Sequence, residues 1–217
     1  MKSVGIFGDS FSDDDWVTND YPCWVELLGQ DYHIKNYSLS GTSLWYSYKH
    51  FKKFNTHDYN IFVVTSPSRL WIPGYDYHMN ANKTTWPVIN NINVGEVYYN
   101  YLYDDSREEC FHDLMVADVI NTSNTLIIPA FGESIQHFPH LSLCHISEKE
   151  QKYFGLEYWS GLNDRRKCHL TEGNNVIVYE KIKKAINENK KFLELEDSDY
   201  VDPKHELIKY WKEPHEQ

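Results

Sequence analysis

Ser3-Val4-Gly5-Ile6-Phe7-Gly8-Asp9-Ser10-Phe11 is the stretch that decides the fold. Val4 to Phe7 is a short apolar run that stops abruptly at Gly-Asp-Ser, as a buried parallel strand does at the carboxyl edge of its sheet. A serine at such a tight turn is pushed clear of the sheet, and the backbone N–H groups around it can point at an oxyanion. The tripeptide alone is common, and a turn in which Asp9 and Ser10 make local hydrogen bonds explains most instances. Its position directly after a first strand is what raises it here.

Outward from that turn, two more apolar runs read as buried parallel strands: Ile61 to Val64, and Leu126 to Ile128 ahead of Pro129. Tyr32 to Leu39 alternates through His33-Ile34-Lys35-Asn36-Tyr37 and reads as a further strand. Helical patterns lie between them: Trp24 to Leu28 closed by Gly29, Leu44 to Phe54, and roughly Arg107 to Ile120 with Phe111, Leu114, Met115 and Val119 on one face. Strand alternating with helix predicts an α/β chain with a doubly wound parallel sheet. Residues 70–105 and 131–160 break the alternation. The first holds an Asn-rich run and the cluster Tyr98-Tyr99-Asn100-Tyr101-Leu102-Tyr103, the second several His and aromatics. Loops this long are usually functional or disordered, and both are expected to roof the strand ends. A closing helix runs from Glu172 to about Asn187, with Thr171 as its cap and Val176, Ile177, Ile182 and Ile186 as its apolar stripe. The charged tail from Lys190 carries an apolar patch at Leu207-Ile208-Tyr210-Trp211 and is expected either to pack as a short helix or to serve as a contact arm to a second copy or another protein.

Bulk properties narrow the function. A length of 217 residues fits one domain, and an apolar share of 41% can build its core. With 17 Tyr, 7 Trp and 10 Phe, a domain of this size must leave many rings partly exposed. Exposed rings suit a sugar or partner surface, although the rim of a core is the commoner place for any one of them. A formal charge of −11 works against nucleic acid and anionic membranes. Cys23, Cys110, Cys144 and Cys168 stand far apart, which argues for reduced thiols and against zinc. The apolar start is too short for a signal peptide and no segment is long enough to span a bilayer, so a cytoplasmic protein, or one released by lysis, is expected.

Two later segments complete a constellation with Ser10. Asn36-Tyr37-Ser38-Leu39-Ser40-Gly41-Thr42-Ser43 follows the second strand, where Gly41 can present its N–H to a ligand without a Cβ in the way. A plain turn glycine is about as common. Asn163-Asp164-Arg165-Arg166-Lys167-Cys168-His169-Leu170-Thr171 places His169 ahead of the last helix. A lone His is usually structural, so the order carries the signal: serine near the start, histidine before the closing helix.

In that order the chain resembles the SGNH/GDSL-type serine hydrolase (esterase/lipase-like) family over roughly residues 1–187, through Gly8-Asp9-Ser10, Gly41 and His169, with an Asp-then-His ending similar to that of phage-borne members. The resemblance implies a flavodoxin-like three-layer α/β/α sandwich with a central parallel sheet; beyond it, 188–217 reads as a charged C-terminal extension. It implies ester or thioester hydrolysis without a metal or other cofactor. Carried over by motif, Ser10 is the nucleophile and His169 the base, and the N–H groups of Ser10 and Gly41 form the oxyanion hole. A phage-borne member would be carried in the virion or released on lysis.

The chain departs from that pattern twice. The family's Asn after the third strand is absent from Val64-Thr65-Ser66-Pro67-Ser68-Arg69, so Ser66, Ser68 or Arg69 would have to supply the third oxyanion donor; losing one donor costs about 10²–10³ in rate. Arg69 also reads as an ion pair at the strand end. The family's Asp three residues before the His is Arg166 here, and Asp164, five before, is the nearest carboxylate to orient His169, with a Ser-His dyad as the alternative.

Asp13-Asp14-Asp15 with Asp9, and His137, His140, Cys144 and His145, are possible metal ligands; a solvated loop or helix N-terminus explains the first group better, and a loop near the site the second. The expectation is a serine esterase acting on a small-molecule or carbohydrate ester, with a carbohydrate O-acetyl group as the favoured substrate. The alternative is a non-catalytic binding or structural module on the same fold. A flavodoxin-like nucleotide binder lacks a Gly-rich phosphate loop.

Overall fold

The computed structural model describes residues 1–14, 21–71, 78–79, 88–89, 92–132, 135, 138–146 and 168–199. The expectations for Asp15, Asp164, His137 and the patch at 207–211 lie outside the described residues.

The elements run in the order β1 (Ser3–Phe7), α1 (Trp24–Leu28), β2 (His33–Asn36), α2 (Leu44–Phe54) and β3 (Tyr59–Val64). Four two-residue strands follow: β4 (Leu70–Trp71) pairs with β5 (His78–Met79), and β6 (Val88–Ile89) with β7 (Ile92–Asn93), each antiparallel. A short helix α3 (Val94–Val97) continues into a π-helical turn at Tyr98–Leu102, then α4 (Asp105–Ile120), β8 (Thr125–Pro129) and α5 (Glu172–Asn187). The main sheet has the order β2-β1-β3-β8, and each of its three pairings is parallel. Beside β8 the chain returns after α5: Ile127 donates to the Lys191 carbonyl at 2.8 Å, and Leu193 donates back to the Ile127 carbonyl at 3.0 Å. Leu193 and Leu195 are buried in the core, so its packing runs past residue 187.

Side-chain alternation sorts each central strand onto two faces. Val4 and Ile6 of β1, Ile61 and Val63 of β3, and Leu126 and Ile128 of β8 pack with Trp24, Val25 and Leu28 of α1 and with Val178, Ile182, Ala185 and Ile186 of α5. The opposite face gathers Phe7, Phe62, Val64 and Ile127 with Leu44 and Phe51 of α2 and with Val116 and Val119 of α4. Strands β1, β3 and β8 are almost wholly buried, which is why they read as unbroken apolar runs. The partly exposed β2 is the edge strand, which explains its alternation.

Two helices turn differently from the sequence expectation. In α4 the buried residues are His112, Val116 and Val119, whereas Phe111 and Leu114 are exposed. The helix carries apolar residues on both sides, and His112 goes inward because its Nε2 lies 3.0 Å from the buried Thr65 carbonyl. Only a donor can satisfy a carbonyl, so that nitrogen carries the proton. In α5, Val176 is exposed while Asn174 and Asn175 are buried. Thr171 occupies the cap position, but its hydroxyl accepts from the Asn174 side chain at 3.3 Å and makes no cap bond.

A pH response is built in beneath β1. His57 packs against Gly5, where a Cβ would collide with its ring, and its Nε2 lies 3.3 Å from the Tyr37 hydroxyl. Burial lowers its pKa, with Asp58 opposing and His33 and Lys35 adding to the effect. A group whose folded pKa is depressed takes up its proton first in the unfolded chain, so stability is lost as pH falls through about 6.5. Denaturant midpoints measured between pH 8 and 5 are expected to decline through that window in the wild type and less in His57→Gln. Equal slopes for the two proteins would show that another group controls the response.

Candidate active site

The loops that follow β1, β2 and β3 meet at the carboxyl end of the sheet, where β1 lies between β2 and β3. The chain leaves β1 toward β2 on one side and β3 toward β8 on the other, and such a switch point is where open α/β sheets bind ligands. The turn after β1 is tightly held. Asp9 folds back on it, its Oδ1 accepting from Phe11 N at 3.0 Å and its carbonyl from Ser12 N at 2.9 Å. Trp24 Nε1 donates to the Phe11 carbonyl at 2.9 Å, and Asn36 Nδ2 to the Ser12 carbonyl at 2.8 Å. Gly8 is required by close approach: an added Cβ would stand 2.7 Å from the Cβ of Val63 and would also strike the Ser12 hydroxyl.

Within this frame Ser10 Oγ makes no hydrogen bond to any described residue, so the turn is built by Asp9 and leaves the Ser10 hydroxyl uncommitted. Ser10 is 2% exposed. Asp9 is fully buried, and its Oδ2 accepts from Thr65 Oγ1 at 2.6 Å and from the Arg69 guanidinium at 3.1 Å. Arg69 is therefore an ion-pair partner, the structural role that the sequence also allowed. Its guanidinium stacks 4.6 Å over the Phe131 ring. Phe131 meets Phe11 edge to face at 5.5 Å, and Phe11 stacks on His169 at 4.4 Å. This continuous stack brings His169 beside the residue that follows Ser10. Among the described residues no hydrogen bond joins Ser10 and His169; the link between them runs through Phe11.

His169 is 7% exposed and left-handed, with φ of 58°, as is Cys168 at 55°. Such a backbone costs on the order of 1–3 kcal/mol for each non-glycine residue and persists only where its surroundings enforce it. Asn175 is part of that enforcement. Its Oδ1 accepts from Trp24 N at 3.0 Å, and its Nδ2 donates to the carbonyls of Leu170 at 3.0 Å and Thr171 at 3.2 Å. Tyr21 adds a bond from its hydroxyl to the Leu170 carbonyl at 2.9 Å. Asn175 was not identified from sequence; a polar residue in the buried stripe of a closing helix was the available signal. Burial, then the adjacent Cys23 thiol, pushes the Cys168 thiol up, so it stays protonated and is no competing nucleophile.

Gly41 adopts φ of 71°, a conformation that favours glycine, in the loop after β2. That loop is fixed by the acidic residues weighed as metal ligands. Asp13 Oδ2 accepts from Ser40 N at 2.6 Å and Asp14 Oδ1 from Asn36 Nδ2 at 2.6 Å, so both carboxylates have a structural use. Among the described residues no group of three or more His, Cys, Asp or Glu is placed to hold a metal ion. Ser66 and Ser68, two of the candidate oxyanion donors, bond to each other at 2.9 Å.

No protein-family model matches the chain, and no curated protein matches it. The functional reading therefore rests on the residues themselves. Among the described residues no helix is long and apolar enough to cross a membrane.

Beside the loop after β3 stands an aromatic rim. Tyr99 donates to the Ser68 carbonyl at 2.7 Å and packs on Tyr98 and Tyr103, whose ring centroids both lie 5.2 Å away. Burial, reinforced by the Glu108 carboxylate 2.7 Å from its hydroxyl, pushes the Tyr98 phenol up to about 12. Tyr101 next to them is 79% exposed.

Proposed function

We propose that the chain is a serine esterase of the SGNH type on a flavodoxin-like three-layer sandwich. The single observation that carries this reading is His169, held in a strained backbone and stacked on Phe11, the residue that follows a buried Ser10 whose hydroxyl no described residue uses. Ser10 Oγ attacks the ester carbonyl and forms a C–O bond while its proton passes to His169. The N–H groups of Ser10 and Gly41 bind the oxyanion. The bond to the leaving alcohol then breaks, and His169 returns the proton to that alcohol. Water, deprotonated by His169, releases the acid and regenerates Ser10. The aromatic rim favours an O-acetylated carbohydrate as substrate, since stacked neutral phenols suit the apolar faces and hydroxyls of a sugar. Asp164 is the carboxylate proposed to orient His169.

A second reading is favoured by the enclosure of Ser10 and the absence of a Ser10–His169 hydrogen bond: a non-catalytic binding or structural module on the same fold. Labelling with a fluorophosphonate separates the two, because only an activated serine displaces fluoride from phosphorus. Stoichiometric labelling at Ser10 supports the esterase; an unlabelled wild type supports the module.

A further inference from the structure

Each of the three candidates for the third oxyanion donor already has a partner, since Ser66 and Ser68 bond each other and Arg69 pairs with Asp9. Three other hydroxyls lie beside Gly41. Ser40, Thr42 and Ser43 are 5%, 1% and 2% exposed, and their oxygens make no hydrogen bond among the described residues. A buried hydroxyl without a partner costs about 1–3 kcal/mol, so three within four residues call for a reason. They sit at the start of the 11-residue helix α2, whose cap residue Ser43 makes no side-chain cap bond. The first N–H groups of a helix have no partner within it, and its dipole favours negative charge there. This loop is tied to the serine turn: Leu39 N donates to the Gly8 carbonyl at 3.2 Å, Ser40 N to Asp13 at 2.6 Å, and Ser47 Oγ to the Gly8 carbonyl at 3.1 Å. On the other side the guanidinium that pairs with Asp9 reaches the Thr42 carbonyl at 3.5 Å.

We propose that the Thr42 hydroxyl is the third oxyanion donor, acting with the N–H groups of Ser10 and Gly41 at the positive end of α2. Thr42 is the most buried of the three and follows Gly41 directly, and its branched Cβ limits the rotamers open to the hydroxyl. Ser43 stays with the helix end, and the Ser40 segment is anchored through its N–H to Asp13. As the ester carbonyl becomes tetrahedral, its oxygen gains a charge that the Thr42 hydroxyl, without an acceptor among the described residues, can meet. The proposal rests on Ser10 being the nucleophile.

The test compares fluorophosphonate labelling rates and thermal midpoints for wild type, Thr42→Val and Thr42→Ser. Thr42→Val is expected to label about 10²-fold more slowly at a midpoint equal to or above that of wild type, because an unpartnered buried hydroxyl has been replaced by a methyl. Thr42→Ser keeps the hydroxyl and is expected to recover most of the rate. A lowered midpoint for Thr42→Val with an unchanged labelling rate would show a structural hydroxyl and overturn the assignment while leaving Ser10 as nucleophile. A wild type that does not label overturns the esterase reading and this inference together. If Thr42→Val does not fold, Thr42→Ala is read against Thr42→Ser in its place, and equal rates for those two overturn the assignment.

Discussion

Ser10→Ala is expected to lower turnover of p-nitrophenyl acetate by at least about 10³-fold while leaving the thermal midpoint within a degree or two of wild type. The second half follows from the hydrogen bonds of the turn, which run through Asp9, Phe11 and Ser12 and spare the Ser10 hydroxyl. Losing the hydroxyl removes the atom that would form the acyl-enzyme and little else. His169→Ala is expected to cost a comparable factor in turnover, and the double variant little more than either single one, because a nucleophile and its base act as a unit. His169→Ala should also lower stability: its ring covers Phe11 at 4.4 Å, and an alanine there leaves a gap in the stack that ends at Arg69. A Ser10→Ala protein that retains wild-type turnover would end the esterase reading.

The sheet was legible because burial on both faces leaves a plain mark. Ile61 to Val64 and Leu126 to Ile128 are apolar without interruption, and every residue of β3 and β8 is buried. The turn at Gly8-Asp9-Ser10 was legible for the same reason, as an abrupt end to such a run. Helix faces were harder to read. In α4, Phe111 with Leu114 and Val116 with Val119 both satisfy helical spacing, and the choice between them is made by His112 reaching the Thr65 carbonyl, 47 positions earlier in the chain. Asn175 shows the same limit across 151 positions, where its pairing with Trp24 turns a polar side chain into a core residue. Hydrophobic pattern reports what is apolar, not which polar groups find partners. Arg69 is the middle case: its charge at a strand end suggests an ion pair or an oxyanion donor, and the buried Asp9 carboxylate supplies the partner for the pair.

That pair supports the second large effect. Asp9 is fully buried and the Arg69 side chain is 8% exposed, so neither charge has water to fall back on. Arg69→Met keeps an apolar stem but removes the guanidinium, and with it the stacking on the Phe131 ring, and leaves a buried carboxylate whose remaining donors among the described residues are the Phe11 N–H and the Thr65 hydroxyl. Breaking a buried pair by removing one partner costs about 3–5 kcal/mol, most of it the penalty of the stranded charge. In a chain of this size that lowers the thermal midpoint by roughly 10 °C. Asp9→Asn combined with Arg69→Met removes both charges, and calorimetry is expected to find the double variant more stable than Arg69→Met alone, since no unpaired charge remains in the core. If Arg69→Met melts with the wild type, Asp9 finds enough compensation from its two neutral donors, and the ion pair is not what holds the serine turn in place. The same variant reads out the site: Asp9 sets the Phe11 backbone, and Phe11 carries the His169 ring. A loosened Asp9 is therefore expected to slow fluorophosphonate labelling of Ser10 even at temperatures where the variant is fully folded.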